Sequence, residues 1–84
     1  MSRFAITTEL PAIDNEGKPV IINGNPVYET NYYCGLKRQK TTGIVFTEWD
    51  TDITFARRFL TETLAENHKL TVLAQDTNLV VKPI

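Results

Sequence analysis

VYETNYYCGLKRQ, residues 27–39, is the longest strand-like stretch of the chain. Tyr32, Cys34 and Leu36 share one parity along it, and Glu29 and Lys37 share the other. Because successive side chains of a strand point to opposite faces, this alternation predicts a strand. The register of that strand decides which of its side chains reach a core.

The hairpin that precedes this strand gives a conflicting register. Asn23-Gly24 is the strongest sequence signal for a two-residue hairpin turn, and a tight turn there pairs Val20 with Val27. That pairing puts both valines on the face opposite to Leu36. An extra residue, inserted as a β-bulge near Gly35, would remove the conflict.

Strands are predicted on both sides of this hairpin and strand. Residues 3–10 alternate between apolar and polar side chains up to Pro11, which predicts a half-buried strand. Pro26 has no amide hydrogen to donate, so the hairpin around it is expected at a sheet edge or beside a bulge. Residues 44–49 are apolar on both parities, which is typical of a central strand covered on both faces.

An amphipathic helix is predicted over residues 52–67, with N-caps available in Asp50-Thr51-Asp52. At 100° per residue, one stripe of the helix collects the apolar side chains, and Arg58 lies opposite. We expect Phe59 and Leu60 of this stripe to be core residues. The stripe consists of Ile53, Ala56, Phe59, Leu60 and Leu64.

Two further strands are predicted after the helix, over residues 70–75 and 79–82, joined by the turn-rich Asp76-Thr77-Asn78. The element order is therefore β-β-β-β-α-β-β. This order predicts an α+β fold in which a largely antiparallel sheet packs against one amphipathic helix. The length of 84 residues predicts a single domain, residues 1–84.

Composition and charge restrict the functional class and the cellular compartment that we expect for this chain. Nine Lys and Arg against ten Asp and Glu give a net charge of −1, which is not typical of a general nucleic-acid binder. One cysteine allows no internal disulfide and favours a reducing compartment. No signal-peptide run and no stretch of 18 apolar residues is present. We therefore expect a cytoplasmic protein without a membrane segment.

The residues best suited to catalysis are few. His68 is the only imidazole, and a cation at the end of a helix is its simplest interpretation. Cys34 fits a buried strand cysteine, although Lys37 and Arg38 nearby would depress the pKa of a thiol. A small enzyme built on a dyad of Cys34 and His68 stays open as the weakest alternative. No motif for a cofactor or a metal ion is present, so we predict neither, and no enzymatic activity.

The segment from Tyr32 to Lys40 places aromatic side chains beside cations. Tyrosine and arginine often anchor protein interfaces, so we predict that Tyr33, Lys37, Arg38 and Lys40 bind a partner. Aromatic residues beside cations also suit single-stranded nucleic acid. A nucleic-acid-binding module is therefore the alternative, using Tyr32 or Tyr33 with the same cations and with Arg57 and Arg58.

The leading hypothesis is a non-enzymatic module that binds another protein through this surface or through an exposed strand edge. A short chain without catalytic equipment is typical of adaptors, and of inhibitors that viruses or mobile elements encode. Because a small open sheet has two free edges, we also expect a homodimer, with residues 79–84 as the associating edge.

Overall fold

The computed structural model describes residues 3–74 and 78–84. The strands in this part of the chain are β1 (Phe4–Pro11), β2 (Ile21–Ile22), β3 (Asn25–Pro26), β4 (Tyr28–Arg38), β5 (Val45–Asp50) and β6 (Val80–Pro83). The main sheet is antiparallel and has four strands in the order β5-β4-β1-β6, and β2 pairs with β3 in a separate two-stranded sheet. Among the same residues one α-helix, α1 (Glu62–Thr71), accompanies the sheet, so the predicted α+β class is confirmed.

Strand β4 changes its neighbour along its length. Residues 28–32 pair with β1, and residues 32–38 pair with β5. The register between β4 and β5 shifts between Tyr33 and Gly35, so the predicted bulge is confirmed. Gly35 has a φ of 126°, a conformation that favours glycine. Beyond the bulge β4 pairs with β5 alone, and residues 35–48 form a two-stranded ribbon that we name the arm.

The predicted hairpin at Asn23-Gly24 is also confirmed. Both residues have positive φ, 53° and 78°, as a type I′ turn requires. The amide of Val27 donates to the carbonyl of Val20 at 3.0 Å, which is the predicted pairing. Pro26 lies in β3, and both strands of a two-stranded sheet are edge strands. This agrees with the prediction from its missing amide hydrogen that Pro26 lies at a sheet edge.

The hydrophobic core lies between α1 and one face of the main sheet. Tyr33 and Trp49 are register partners on that face, and Ala65 of α1 is fully buried. Because α1 is short and turns only one narrow face inward, residues next to it complete the core. The buried cluster consists of Ile6, Tyr33, Phe59, Ala65, Leu73 and Leu79, with Phe4, Trp49 and Val81 packed against it.

The predicted helix boundaries are wrong. Residues 53–55 form a short 3₁₀ helix capped by Asp52, and α1 begins after Thr61, whose hydroxyl accepts from the amide of Leu64 at 3.1 Å. Two of the residues between them are held to the sheet by their amides. Arg57 donates to the carbonyl of Tyr33 at 2.8 Å, and Phe59 donates to the carbonyl of Phe4 at 2.8 Å.

The strand predicted over residues 70–75 is wrong where the structure describes it. Leu70 and Thr71 belong to the last turn of α1, and the carbonyl of His68 accepts from the amide of Val72 to close that turn. Gln75 and the predicted turn at residues 76–77 lie outside the described residues. The following strand, predicted over residues 79–82, is confirmed as β6.

The prediction that residues 44–49 form a central strand is wrong as well. Strand β5 is an edge of the main sheet, and Val45, Phe46 and Thr47 are exposed. In β5, apolar residues on both parities therefore belong to a strand whose two faces are partly open to solvent.

Phe59 and Leu60 provide a test of the corrected helix boundaries. Phe59 is 8% exposed and Leu60 is 61% exposed. We expect Phe59→Ala to lower the free energy of unfolding by about 3–5 kcal/mol, through lost transfer energy and a cavity. We expect Leu60→Ala to change it by less than about 0.5 kcal/mol. A urea denaturation followed by circular dichroism measures both, and equal losses would contradict these boundaries.

Candidate functional site

The arm exposes apolar side chains on both of its faces. Leu36 from β4 and Ile44, Val45 and Phe46 from the other half of the ribbon are each between 44% and 60% exposed. They are exposed because β1 pairs only with residues 28–32 of β4, so the ribbon has no third strand beside it. The arm therefore presents an apolar surface that the rest of the described chain does not cover.

The arm is also the basic part of the chain. The arm contains Lys37, Arg38 and Lys40, and its one acid is Glu48. The remaining six cations and nine acids give the rest of the chain a formal charge of −3. The Nζ of Lys37 lies 3.4 Å from the Oε1 of Glu48, and both side chains are largely exposed. Such a surface pair contributes less than about 1 kcal/mol, so Lys37 can exchange it for another anion.

A groove of about 600 Å³ lies beside β5. Residues 46–50 line it in unbroken succession, together with Cys34 and Phe55. Cys34 belongs to β4, and the carboxylates of Asp50 and Glu48 act on its thiol. The groove therefore involves both β4 and β5.

Tyr33 does not belong to the exposed surface where the sequence prediction placed it. Its side chain is 0% exposed and packs on the α1 side of the sheet. Its hydroxyl lies 2.9 Å from the Nε2 of His68, and its ring centroid lies 5.7 Å from that of Trp49. The other three predicted residues, Lys37, Arg38 and Lys40, are exposed on or beside the arm.

Burial keeps both partners of the Tyr33 and His68 pair neutral. Burial raises the pKa of the Tyr33 hydroxyl, and Arg57 opposes this effect. Burial lowers the pKa of His68, and Arg57 lowers it further by charge repulsion. The hydrogen bond therefore joins two neutral groups, and the tautomer of His68 decides which of them donates. The expected cation at the end of the helix is instead a neutral ring.

Cys34 and His68 do not form the dyad that an enzyme would need. The Sγ of Cys34 donates to the carbonyl of Tyr32 at 3.3 Å, while His68 bonds to Tyr33. Burial raises the pKa of the Cys34 thiol, and the carboxylates of Asp50 and Glu48 raise it further. The effect is opposite to the one expected from Lys37 and Arg38, so the reactive thiolate is disfavoured.

The residues of the nucleic-acid alternative are divided between different parts of the fold. Tyr32 is half-buried on the sheet face opposite to Tyr33, where it pairs with Thr7 and Asp50. The guanidinium carbon of Arg57 lies 5.3 Å from the ring centroid of Phe59, beside the core. The structure therefore does not gather the predicted stacking rings and cations on one exposed surface.

No group of three or more His, Cys, Asp or Glu side chains within residues 3–74 and 78–84 is arranged to hold a metal ion. Among the same residues, no helix has the length and apolar character needed to cross a membrane. Comparison with protein-family models, with curated proteins and with solved structures finds no match for this chain. The candidate site therefore depends on the geometry of the arm and of the groove.

The His68 ring gives the fold a pH dependence of known sign. Its pKa in the folded chain is lower than the unfolded value of about 6.5, so the unfolded chain binds the proton more readily. The contribution of the neutral His68 ring to the free energy of unfolding is complete above a pH of about 6.5. This contribution is lost as the pH falls below that value. We expect the free energy of unfolding to decrease from pH 7 to pH 5 more steeply in the wild type than in His68→Gln. Parallel pH profiles in urea denaturation would contradict the assignment.

Proposed function

We propose that this chain is a non-enzymatic binding module that contacts another protein through the two faces of the arm. The observation that carries the proposal is the exposure of four large apolar side chains on one basic two-stranded ribbon. Neither the exposed apolar side chains nor the cations of the arm are needed to build the core. The core lies at the opposite end of β4 and β5. An adaptor or an inhibitor of a second protein fits such an arm.

The energetics of the arm favour binding. Isolated two-stranded ribbons are at best marginally stable in water. Fully burying an apolar side chain contributes about 1.5–3 kcal/mol, and Leu36, Ile44, Val45 and Phe46 each have about half of that burial still to gain. The base of the arm is fixed by the buried ring of Tyr33, so little order has to be gained at that end on binding.

The charge of the arm defines the partner surface. The arm carries Lys37, Arg38 and Lys40 beside its apolar residues. A complementary surface has an apolar groove bordered by carboxylates, and its negative potential would accelerate the encounter at low salt. The nucleic-acid alternative has less support, because Phe46 is the only aromatic side chain within residues 35–48. The aliphatic side chains of the arm do not stack on bases.

Variants of the arm test the proposal by capture of a partner from the native host, after nuclease treatment. We expect Phe46→Ser and the combined exchange of Lys37, Arg38 and Lys40 to Gln to abolish capture while the fold remains intact by circular dichroism. Leu70→Ser is the matched control, since Leu70 is an exposed apolar residue of α1. Unchanged capture by both arm variants, or capture that depends on nucleic acid, would contradict the proposal.

A salt titration separates the two kinds of partner. Three cations that neutralise phosphates of a single strand would give a slope of log K against log salt of about −2. We expect no measurable affinity for a random single-stranded oligonucleotide at physiological salt, because the arm has few cations and no accessible tyrosine. Salt-sensitive binding of the oligonucleotide, reduced by the exchange of the three cations, would assign the arm to nucleic acid instead.

A further inference from the structure

We propose that the free outer edge of β5 pairs with β5 of a second copy of this chain, in antiparallel orientation about a twofold axis at Thr47. The two main sheets then form one continuous sheet of eight strands. This inference does not rest on the proposed function, because strand addition uses the backbone edge of β5, although Val45 and Phe46 of the arm also meet the second copy.

The edge of β5 is available for strand addition. β5 pairs with β4 on one side, and no strand of residues 3–74 and 78–84 pairs with its other side. Its outer backbone groups therefore have no strand partner among these residues. A row of accessible amides and carbonyls is a template for another strand.

Symmetry restricts the register. An antiparallel pair of identical strands has its twofold axis perpendicular to the sheet, so residues that face each other lie on the same face of both copies. The axis must then lie between one residue and the same residue of the second copy, so that this residue faces itself. Thr47 and Glu48 are the two residues nearest to the middle of β5. An axis at Glu48 would oppose two like charges directly, which is destabilising, so Thr47 is favoured.

The register centred on Thr47 brings together suitable side chains. Val45 lies opposite the second copy's Trp49 on the α1 side of the sheet, and the same pair recurs on the other side of the axis. Pairs of an aromatic and a β-branched residue are among the favourable cross-strand pairs. On the open face, Phe46 lies opposite the second copy's Glu48, so no like charges meet.

Charge complementarity favours a second copy over an unrelated strand. In the register of β4 and β5, Lys37 and Arg38 lie beside Phe46 and Val45, at the basic end of β5. The opposite end has Glu48, Asp50 and Asp52. Antiparallel addition places the basic end of each copy against the acidic end of the other. The edge is thus complementary to itself.

The other sheet edge is less suited to association, contrary to the sequence-based expectation. β6 has four residues and includes Lys82 and Pro83, both typical of protected edges. Beyond it, Ile84 exchanges two backbone hydrogen bonds with Arg3, at 2.7 and 3.4 Å. β5 has six residues and neither Lys nor Pro. We therefore assign the association to β5.

Sedimentation velocity of charge variants at Thr47 tests the axis. A residue on a twofold axis faces its own copy, so we expect Thr47→Lys alone and Thr47→Glu alone to be monomers at concentrations where the wild type dimerises. An equimolar mixture of the two variants should recover the dimer, because opposite charges then meet. Recovery by mixing shows that each variant is folded.

Two controls complete the experiment. Thr47→Val removes the same hydroxyl without adding charge, and we expect it to dimerise at least as strongly as the wild type. Val80→Lys adds a charge to β6 and should leave the dimer unchanged. A wild-type chain that is monomeric at high micromolar concentration would overturn the proposal, as would Thr47→Lys remaining dimeric or Val80→Lys alone abolishing the dimer.

Discussion

The buried phenol of Tyr33 is the group on which the arrangement of the domain depends. A buried hydroxyl without a hydrogen-bond partner costs about 1–3 kcal/mol, so a polar partner must lie beside it. His68 is this partner, and the bond requires α1 to place its last turn above the middle of β4. The ring of Phe59 then lies 5.2 Å from the imidazole and encloses the pair. One polar contact thereby sets where the helix lies on the sheet.

The inward orientation of Tyr33 also determines the arm. The bulge inserts one residue between Tyr33 and Gly35, so Leu36 returns to the α1 side of the sheet while Lys37 lies on the open side. The carbonyl of Tyr33 accepts from Arg57, a residue far along the chain. The extended residues around Arg57 and Phe59 occupy the position beside Phe4 that the continuation of β4 would have filled. Beyond this point β4 separates from β1, and the arm extends from the sheet.

The features that could be predicted from sequence have local causes. Asn23-Gly24 determines its own turn, since both residues accept positive φ. The conflict between two parities revealed the bulge, because only an extra residue reconciles them. The alternation of the strands and the presence of one helix were sufficient for the α+β class. None of these inferences needed knowledge of contacts between distant residues.

The helix position and the burial of Tyr33 could not be predicted in this way. The stripe from Ile53 to Leu64 satisfies a helical period, but the amides of Arg57 and Phe59 bond to strands that precede them by many residues. Periodicity contains no information on such bonds. Thr61 followed by Glu62 was a usable signal, since an N-cap with an acid in the first turn marks a helix start. Tyr33 has the parity of Glu29 and Lys37, so its burial was hidden by the bulge.

The position of Trp49 gives the molecule an intrinsic fluorophore at an informative place. It is the only tryptophan of the chain. Its ring meets Tyr33 at the core, its Nε1 donates to the hydroxyl of Thr47 at 3.1 Å, and it lies in the edge strand β5. Indole emission shifts to the red in contact with water and to the blue when water is excluded. Loss of the core and addition of a strand beside Trp49 therefore shift the emission of one residue in opposite directions, without any added label.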